Sequence, residues 1–266
     1  MSYETITLEV DGNVATLTLN RPEAANAMNP LMARELSRAA IVCDEDPAIR
    51  AVIVTGSGRM FCAGGDLGEF AEAGDARPAL IKEMAGDLHM GISRLTRMTA
   101  PVIAAVNGTA AGAGFSLAVA ADLAISADNA RYVMAYTNAG LSPDGSSTYF
   151  LPRRVGDRRA RELMLTNRML KADEAMAWGL VNEVVPAEEL MTRAKDLATE
   201  LAAGPTLAFG EVKSLLNASF DNGLETQMEL ESRAISRMSG TADGAEGIAA
   251  FLEKRGARLR GSLTEW

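Results

Sequence analysis

The chain has 266 residues, and 26 Lys and Arg against 35 Asp and Glu give a formal net charge of −9. Hydrophobic residues make up 48% and charged residues 23%, which is apolar mass enough for a sizeable core and excludes a disordered chain; the length suits one large domain, or one domain with an appendage. The acidic balance excludes general attraction to DNA, RNA or an anionic membrane, but leaves room for a small phosphate-bearing ligand held by local cations and backbone N–H groups.

In chain order, Tyr3 to Val10 alternates, Asp11-Gly12-Asn13 turns, and Val14 to Leu19 resumes the alternation, which predicts a hairpin. A helix follows Pro30, with Leu31, Leu36, Ala39, Ala40 and Cys43 on one side. Ala51 to Val54 reads as a short buried strand closed by Thr55-Gly56-Ser57-Gly58. A helix is predicted from about Pro78 to Met98, and Pro101 opens a second buried strand, Val102 to Val106. Val102 to Ala121 carries no charge, yet it is mostly Ala and Gly, with Asn107, Thr109 and Ser116 inside. It reads as a strand, a tight glycine turn and a closely packed helix, not as a membrane span.

Further strands are expected at Leu123-Ala124-Ile125, Tyr132-Val133 and Val181 to Val185. Strands separated by helices predict α/β layers with largely parallel pairing. Beyond Pro186 only helical stretches remain, broken at Gly204-Pro205, Asp221-Asn222-Gly223 and Gly240. The chain therefore divides into a core, 1–200, and a helical C-terminal region, 201–266.

Two cysteines, Cys43 and Cys62, cannot build a disulfide scaffold, and a single histidine, His89, removes every zinc motif that needs two. Met1-Ser2-Tyr3-Glu4 lacks the basic start and apolar run of a signal peptide, so a reducing cytoplasm is the expected compartment.

Three segments carry chemistry. Met60-Phe61-Cys62-Ala63-Gly64-Gly65-Asp66-Leu67 follows a strand, and its small residues let a backbone approach a ligand while the next helix offers free N–H donors. Val106-Asn107-Gly108-Thr109-Ala110-Ala111-Gly112-Ala113-Gly114-Phe115 does the same; Leu117 stands where a dinucleotide fingerprint has its third glycine, and no Walker lysine is present. Each segment alone serves anion binding and tight packing equally well. In Gly140-Leu141-Ser142-Pro143-Asp144-Gly145-Ser146-Ser147, Asp144 replaces the glycine a nucleophile elbow requires. Asp144 is either the N-cap of a helix over Ser146 to Leu151 or a carboxylate aimed at substrate.

Together these segments resemble the crotonase (enoyl-CoA hydratase/isomerase) superfamily. The resemblance extends to Leu19-Asn20-Arg21-Pro22 with Asn26-Ala27-Met28, to Pro101 through Gly114, to Ala121 through Ala127, to Trp178-Gly179-Leu180-Val181 and to the tail Gly247 to Arg255. It implies an α/β fold, a spiral of ββα units with a helical C-terminal subdomain that packs into trimers, often hexamers. It implies that the Gly65 and Ala113 N–H groups form an oxyanion hole for a CoA thioester, with Ala113 where relatives usually have Gly. Ala24, Ala63 and Asp66 would lie near the adenine, Leu67 would also bind substrate, and Phe251 and Lys254 would reach a neighbouring subunit's CoA. No metal or redox cofactor is implied, since CoA arrives as part of the substrate.

Two preorganised N–H donors favour an enolate over the neutral carbonyl, and losing one such donor costs ~2.7–4 kcal/mol. The base then selects the reaction. The two glutamates of the family's hydratases fall on Ser116 and Tyr136, so a water-activating carboxylate pair is missing. Asp144 falls where Δ3,Δ2-enoyl-CoA isomerases and ring-epoxide isomerases place an aspartate, which predicts an isomerase with Asp144 as its shuttle base. Enoyl-CoA hydration is one alternative. The other is an aryl-CoA dehalogenase or hydrolase with Asp144 as nucleophile; there His89 falls in the matching helix, but Tyr136 replaces a tryptophan.

His89 itself reads as a surface or packing histidine. Tyr136 is assigned to the acyl pocket, whereas Phe70, Met84, Phe150 and Trp178 read as core and Cys62 as a buried filler. The cluster Arg153, Arg154, Arg158, Arg159 and Arg161 reads as a helix face paired with acidic residues at a subunit contact. The lysine-rich face needed for RNA binding, found in one branch of the superfamily, is missing.

Overall fold

The computed structural model describes residues 2–261; Met1 and 262–266, the end of the expected C-terminal region, lie outside the described residues. The predicted hairpin forms as β1 (Ile6–Asp11) and β2 (Val14–Leu19), in register from Ile6 opposite Leu19 to Asp11 opposite Val14. Along β2, Ala15, Leu17 and Leu19 are buried and the residues between them are not, as a strand with one wet face requires. Helix α1 (Pro30–Glu45) has Pro at its start, where a missing N–H costs nothing, and the Asn29 side chain caps it by accepting from Met32 N at 2.9 Å. Its buried stripe of Met32, Ala33, Leu36, Ala39, Ala40 and Cys43 follows the helical period.

The next elements repeat one plan. Strand β3 (Ala51–Gly56) leads to the short β4 (Met60–Cys62) and then to α2 (Leu67–Glu72) and α3 (Arg77–Arg97). Strand β5 (Val102–Val106) leads to β6 (Thr109–Ala111) and α4 (Ala113–Ala120). Strand β7 (Leu123–Ala127) leads to β8 (Arg131–Val133) and, past the Asp144 loop, to α5 (Ser147–Val155). There follow α6 (Asp157–Thr166), β9 (Leu170–Lys171), α7 (Ala172–Ala177) and β10 (Glu183–Val185).

The first strand of each unit enters a six-stranded sheet of order β1-β2-β3-β5-β7-β10, parallel from β2 onward. The second enters a four-stranded sheet of order β4-β6-β8-β9, parallel except at β9. This is the expected spiral of ββα units. The fully buried runs of β3 and β5 are strands covered on both faces.

Four helices complete the chain: α8 (Leu190–Ala202), α9 (Thr206–Ala218), α10 (Leu224–Ser239) and α11 (Ala242–Glu253). Their breaks fall at the predicted Gly204-Pro205, Asp221-Asn222-Gly223 and Gly240. Helix α8 buries Leu190, Ala194, Ala198 and Ala202 against the core. Helices α9 to α11 instead leave Leu216, Phe220, Leu224, Ile235, Phe251 and Leu252 exposed. A buried ion pair ties α9 to the core: Lys213 Nζ lies 2.7 Å from Asp122 and donates to the carbonyls of Leu95 and Ala100.

The arginine cluster departs from expectation. Arg153 stacks on Tyr149, 3.5 Å from the ring centroid, and on Phe220; Arg159 lies over Trp178; Arg154 donates to the Ala121 carbonyl. Only Arg161 forms an acidic pair, with Asp157 one turn earlier. Aromatic faces and a carbonyl within the chain take up the guanidinium groups of Arg153, Arg159 and Arg154. No helix among the described residues is long and apolar enough to cross a membrane.

Candidate active site

Strands β4 and β6 are parallel neighbours, so the turns that leave their C-terminal ends lie side by side. A side chain on Gly112 (φ +49°, ψ −120°) would sit 3.3 Å from the Gly64 Cα, and one on Gly64 (φ +98°) 3.2 Å from the Ala111 carbonyl oxygen. Only glycine allows this backbone conformation and this approach.

Hydrogen bonds hold the first turn around one open donor. Ala63 N donates to Ala25 O at 3.0 Å, Gly64 N to Cys62 Sγ at 3.4 Å, and Asp66 N to Met28 O at 2.9 Å. In the second, Gly112 N donates to Val133 O at 3.1 Å and Ser116 N to Gly112 O. Among the described residues, no acceptor takes the N–H of Gly65 or of Ala113. Ala113 is the first residue of α4, where an N–H has no carbonyl within its helix.

Both residues line one cleft of about 290 Å³, together with Ala63, Leu67, Tyr136 and Asp144. Its wall is largely apolar, built from Phe70, Ile81, Met84, Leu88 and Leu141. Phe70 and Met84, read as core from the sequence, are buried and also face this cleft. Lys82, at the exposed side of the lining, was not anticipated; as an exposed lysine on a helix it carries no sequence signal of its own. Asp144 is the only carboxylate in the lining among the described residues.

Asp144 does not cap α5. Its backbone carbonyl accepts from Ser147 N and Oγ, while its side chain turns toward the cleft. Oδ1 accepts from the Tyr136 hydroxyl at 2.7 Å, and Oδ2 lies 3.2 Å from His89 Nε2. Tyr136 in turn lies 2.9 Å from Ser116 Oγ, which also reaches the Gly112 carbonyl at 3.2 Å. Burial, and then the Asp144 charge, push the Tyr136 phenol far above its ordinary value, so the hydroxyl stays protonated and donates to the carboxylate. Ser116, Tyr136, Asp144 and His89 thus form one polar chain beside the two turns.

His89 was expected to be a surface or packing residue; the structure places it half-exposed and against Asp144. Cys62 is the buried filler expected of it, and it also accepts the Gly64 N–H; burial pushes its thiol up to about 11. Asp66 caps α2 by accepting from Gly68 N and Glu69 N, and pairs with Arg21 at 3.1 Å. Ala24 ends a short 3₁₀ turn, Pro22–Ala24, packed beside the first glycine turn through Ala25. Neither Ala24 nor Asp66 is part of the cleft lining. Phe251 and Lys254 stand exposed at the end of α11, outside that lining, with Lys254 in the left-handed region.

Residues 9–261 match the profile of a family described as enoyl-CoA hydratase/isomerase. The chain is 41% identical over 98% of its length to a probable enoyl-CoA hydratase of Rhodobacter capsulatus, covering 100% of that protein. It is 40% identical over 97% of its length to the 1,2-epoxyphenylacetyl-CoA isomerase of Escherichia coli, covering 99%. Among solved structures it is similar to an enoyl-CoA hydratase from Polaromonas sp. JS666, with a TM-score of 0.91, 37% identity, and coverage of 96% of this chain and 99% of that one.

Proposed function

Because the chain belongs to the enoyl-CoA hydratase/isomerase family, we propose that it isomerises an unsaturated or ring-epoxide acyl-CoA, with Asp144 as the shuttle base. The thioester carbonyl oxygen sits between the Gly65 and Ala113 N–H groups. When the base removes a proton from carbon, negative charge moves onto that oxygen, and two fixed donors in an apolar cleft hold it better than they hold the neutral ester. Asp144 carries the proton and returns it to another carbon of the same substrate. For an unsaturated acyl chain the double bond shifts as the proton moves from one carbon to the other, and no group leaves; CoA comes in as part of the substrate.

The observation that carries this reading is the single carboxylate of the cleft. Hydration by two carboxylates has no second group here, because Ser116 and Tyr136, at the two family glutamate positions, are hydrogen-bonded to each other. The E. coli isomerase at 40% identity points the same way, although the R. capsulatus relative bears a hydratase name.

The test is a panel of a 3-enoyl-CoA, a ring-epoxide acyl-CoA, crotonyl-CoA and a halobenzoyl-CoA, with products read by mass. Isomerised product from either of the first two is expected, and Asp144→Asn should lower its rate by about 10²–10⁴-fold. Hydrated crotonyl-CoA as the main product would overturn the reading.

The contact of His89 with Asp144 favours one second reading, in which the Asp144 carboxylate displaces halide from the ring carbon of an aryl-CoA to form an aryl ester, and His89 takes the proton of the water that cleaves this ester, freeing the carboxylate and a hydroxyaryl-CoA. Intact-mass spectrometry during turnover separates the two, since only the nucleophile adds mass to the protein. The exposed apolar residues of α9 to α11 support a trimer or hexamer in which Phe251 and Lys254 approach a neighbouring subunit's CoA. Light scattering on the purified protein tests this, and a monomer would reject it.

A further inference from the structure

Asp144 separates two cavities. One is the cleft of the glycine turns. The other, about 920 Å³, opens on its far side between α3, α5 and α9, and Asp144 is the only described residue that lines both. The second cavity is lined by Ser93, Thr96, Thr148 and Asn217 as well as His89. Ile92, Pro143 and Phe150 give it apolar walls as well, and it is open to solvent.

The two carboxylate oxygens meet different surroundings. Oδ1 accepts from the hydroxyl of Tyr136, half-buried in the cleft wall, and beyond Tyr136 lie buried Ser116 and the Gly112 carbonyl. Oδ2 faces His89 Nε2, on a ring that is half-exposed to the second cavity.

Gly145 N–H also points at Nε2, at 3.1 Å. The one lone pair of Nε2 is shared between Gly145 N–H and the side facing Oδ2, so a proton passing from Asp144 to Nε2 takes the place of the bond from Gly145.

We propose that His89 is the exchange residue of the shuttle: it carries the proton held by Asp144 to and from the water of the second cavity. The proton leaves Oδ2 for the lone pair of Nε2, giving a carboxylate and an imidazolium. The half-exposed ring turns, loses that proton to water, and brings a solvent proton back by the same path. This rests on Asp144 being the base. It adds that the fraction of product whose proton comes from solvent is set by a residue that need not touch substrate. His89 is thus a positioning residue, and its effect is read in isotope content, which a purely structural role leaves alone.

The experiment runs wild type, His89→Gln, His89→Phe and Asp144→Asn in D₂O. It measures turnover of a 3-enoyl-CoA, deuterium per product molecule, and deuterium uptake at the α carbon of phenylacetyl-CoA, which needs a base and exchange but no isomerisation. Both His89 variants should fold, because the side chain is half-exposed; each removes a partner of Asp144 and lowers kcat, so deuterium per product and not rate is the deciding readout. Their deuterium uptake in both assays should fall by at least about tenfold.

Unchanged uptake in the His89 variants overturns the proposal, as does a wild type that takes up no deuterium. A large loss of kcat with unchanged deuterium per product also overturns it and assigns His89 to the chemistry. Failure of the underlying reading looks different. Uptake surviving in Asp144→Asn removes Asp144 as base, and the relay with it. Wild-type exchange without isomerisation removes the isomerase while the His89 variants still decide the relay.

Discussion

Replacing Ala113 by Pro removes one of the two open donors and little else. Ala113 is the first residue of α4, a position at which proline's fixed φ suits the helix and its missing N–H breaks no helical bond. The bond from Ser116 N to Gly112 O, which starts the helix, is untouched. Stability should therefore shift by no more than about 1 kcal/mol. Activity should not be spared. One oxyanion donor is worth ~2.7–4 kcal/mol, and at ~1.36 kcal/mol per factor of ten this predicts a loss of about 10²–10³-fold in kcat. Ala113→Gly keeps the donor and should retain kcat, at a helix-end cost below about 1 kcal/mol. Steady-state turnover of a 3-enoyl-CoA beside a thermal melt gives both quantities. A folded Ala113→Pro enzyme with kcat within threefold of wild type would refute the oxyanion reasoning.

Other consequences follow from the same geometry. Tyr136→Phe keeps the ring but strips Asp144 Oδ1 of its donor; a hydrogen bond to a charged group is worth ~1.5–3 kcal/mol, so kcat should fall about ten- to a hundredfold and the melting temperature by several degrees. Lys213→Met strands Asp122, a half-buried carboxyl that desolvation already pushes up; unfolding by urea should show a loss of ~1–3 kcal/mol at neutral pH, easing as acid protonates Asp122. Glu35 is the opposite case. Burial raises its carboxyl, but bonds from the Thr5 hydroxyl and from backbone N–H groups of Glu4, Thr5 and Ile6 outweigh this and hold it below the usual range. A depressed folded-state value contributes stability above the unfolded value that is lost as pH falls through the folded one. Glu35→Gln should therefore be less stable by ~1–3 kcal/mol at neutral pH, and the gap to wild type, followed by urea midpoints, should narrow in acid.

How much of the fold could be read from the residues depended on segment length. The buried runs of β3 and β5, the capped start of α1 and the glycine breaks between α8, α9, α10 and α11 each span enough chain to leave a pattern. The second sheet does not. Its strands β4, β6 and β9 have three, three and two residues, too few for any period to show. Its trace lies in packing instead: a side chain on Gly114 would come within 2.5 Å of Cys62 Cβ, so the start of α4 can rest on β4 only with glycine there. The arginine cluster misled for a related reason. Charge sign is visible in a sequence, but the partners of Arg153, the rings of Tyr149 and Phe220, are fixed by how α5 meets the end of α9.

The candidate site divides along the same line. The two glycine turns are legible because backbone donors need small residues in consecutive positions, and these stand side by side in the chain. The polar chain is not legible, because its members come from four elements and only tertiary packing joins them. His89 follows Leu88 on α3, one position outside the stripe of Met84, Leu88, Ile92 and Leu95 that faces the core; its neighbours in sequence mark it as an edge residue and nothing more. The 3.2 Å approach to Asp144 comes from a loop 55 residues later. Asp144 shows the converse, since its position ahead of α5 fits a helix cap equally well. What decides its role is that Ser146 and Gly145 both take positive φ, +68° and +60°. That geometry starts the helix without a side-chain cap and leaves the carboxylate turned to the cleft. A residue type that favours caps is thus left uncommitted to the helix, with its carboxylate available to the cleft, because the backbone beside it bends the unusual way.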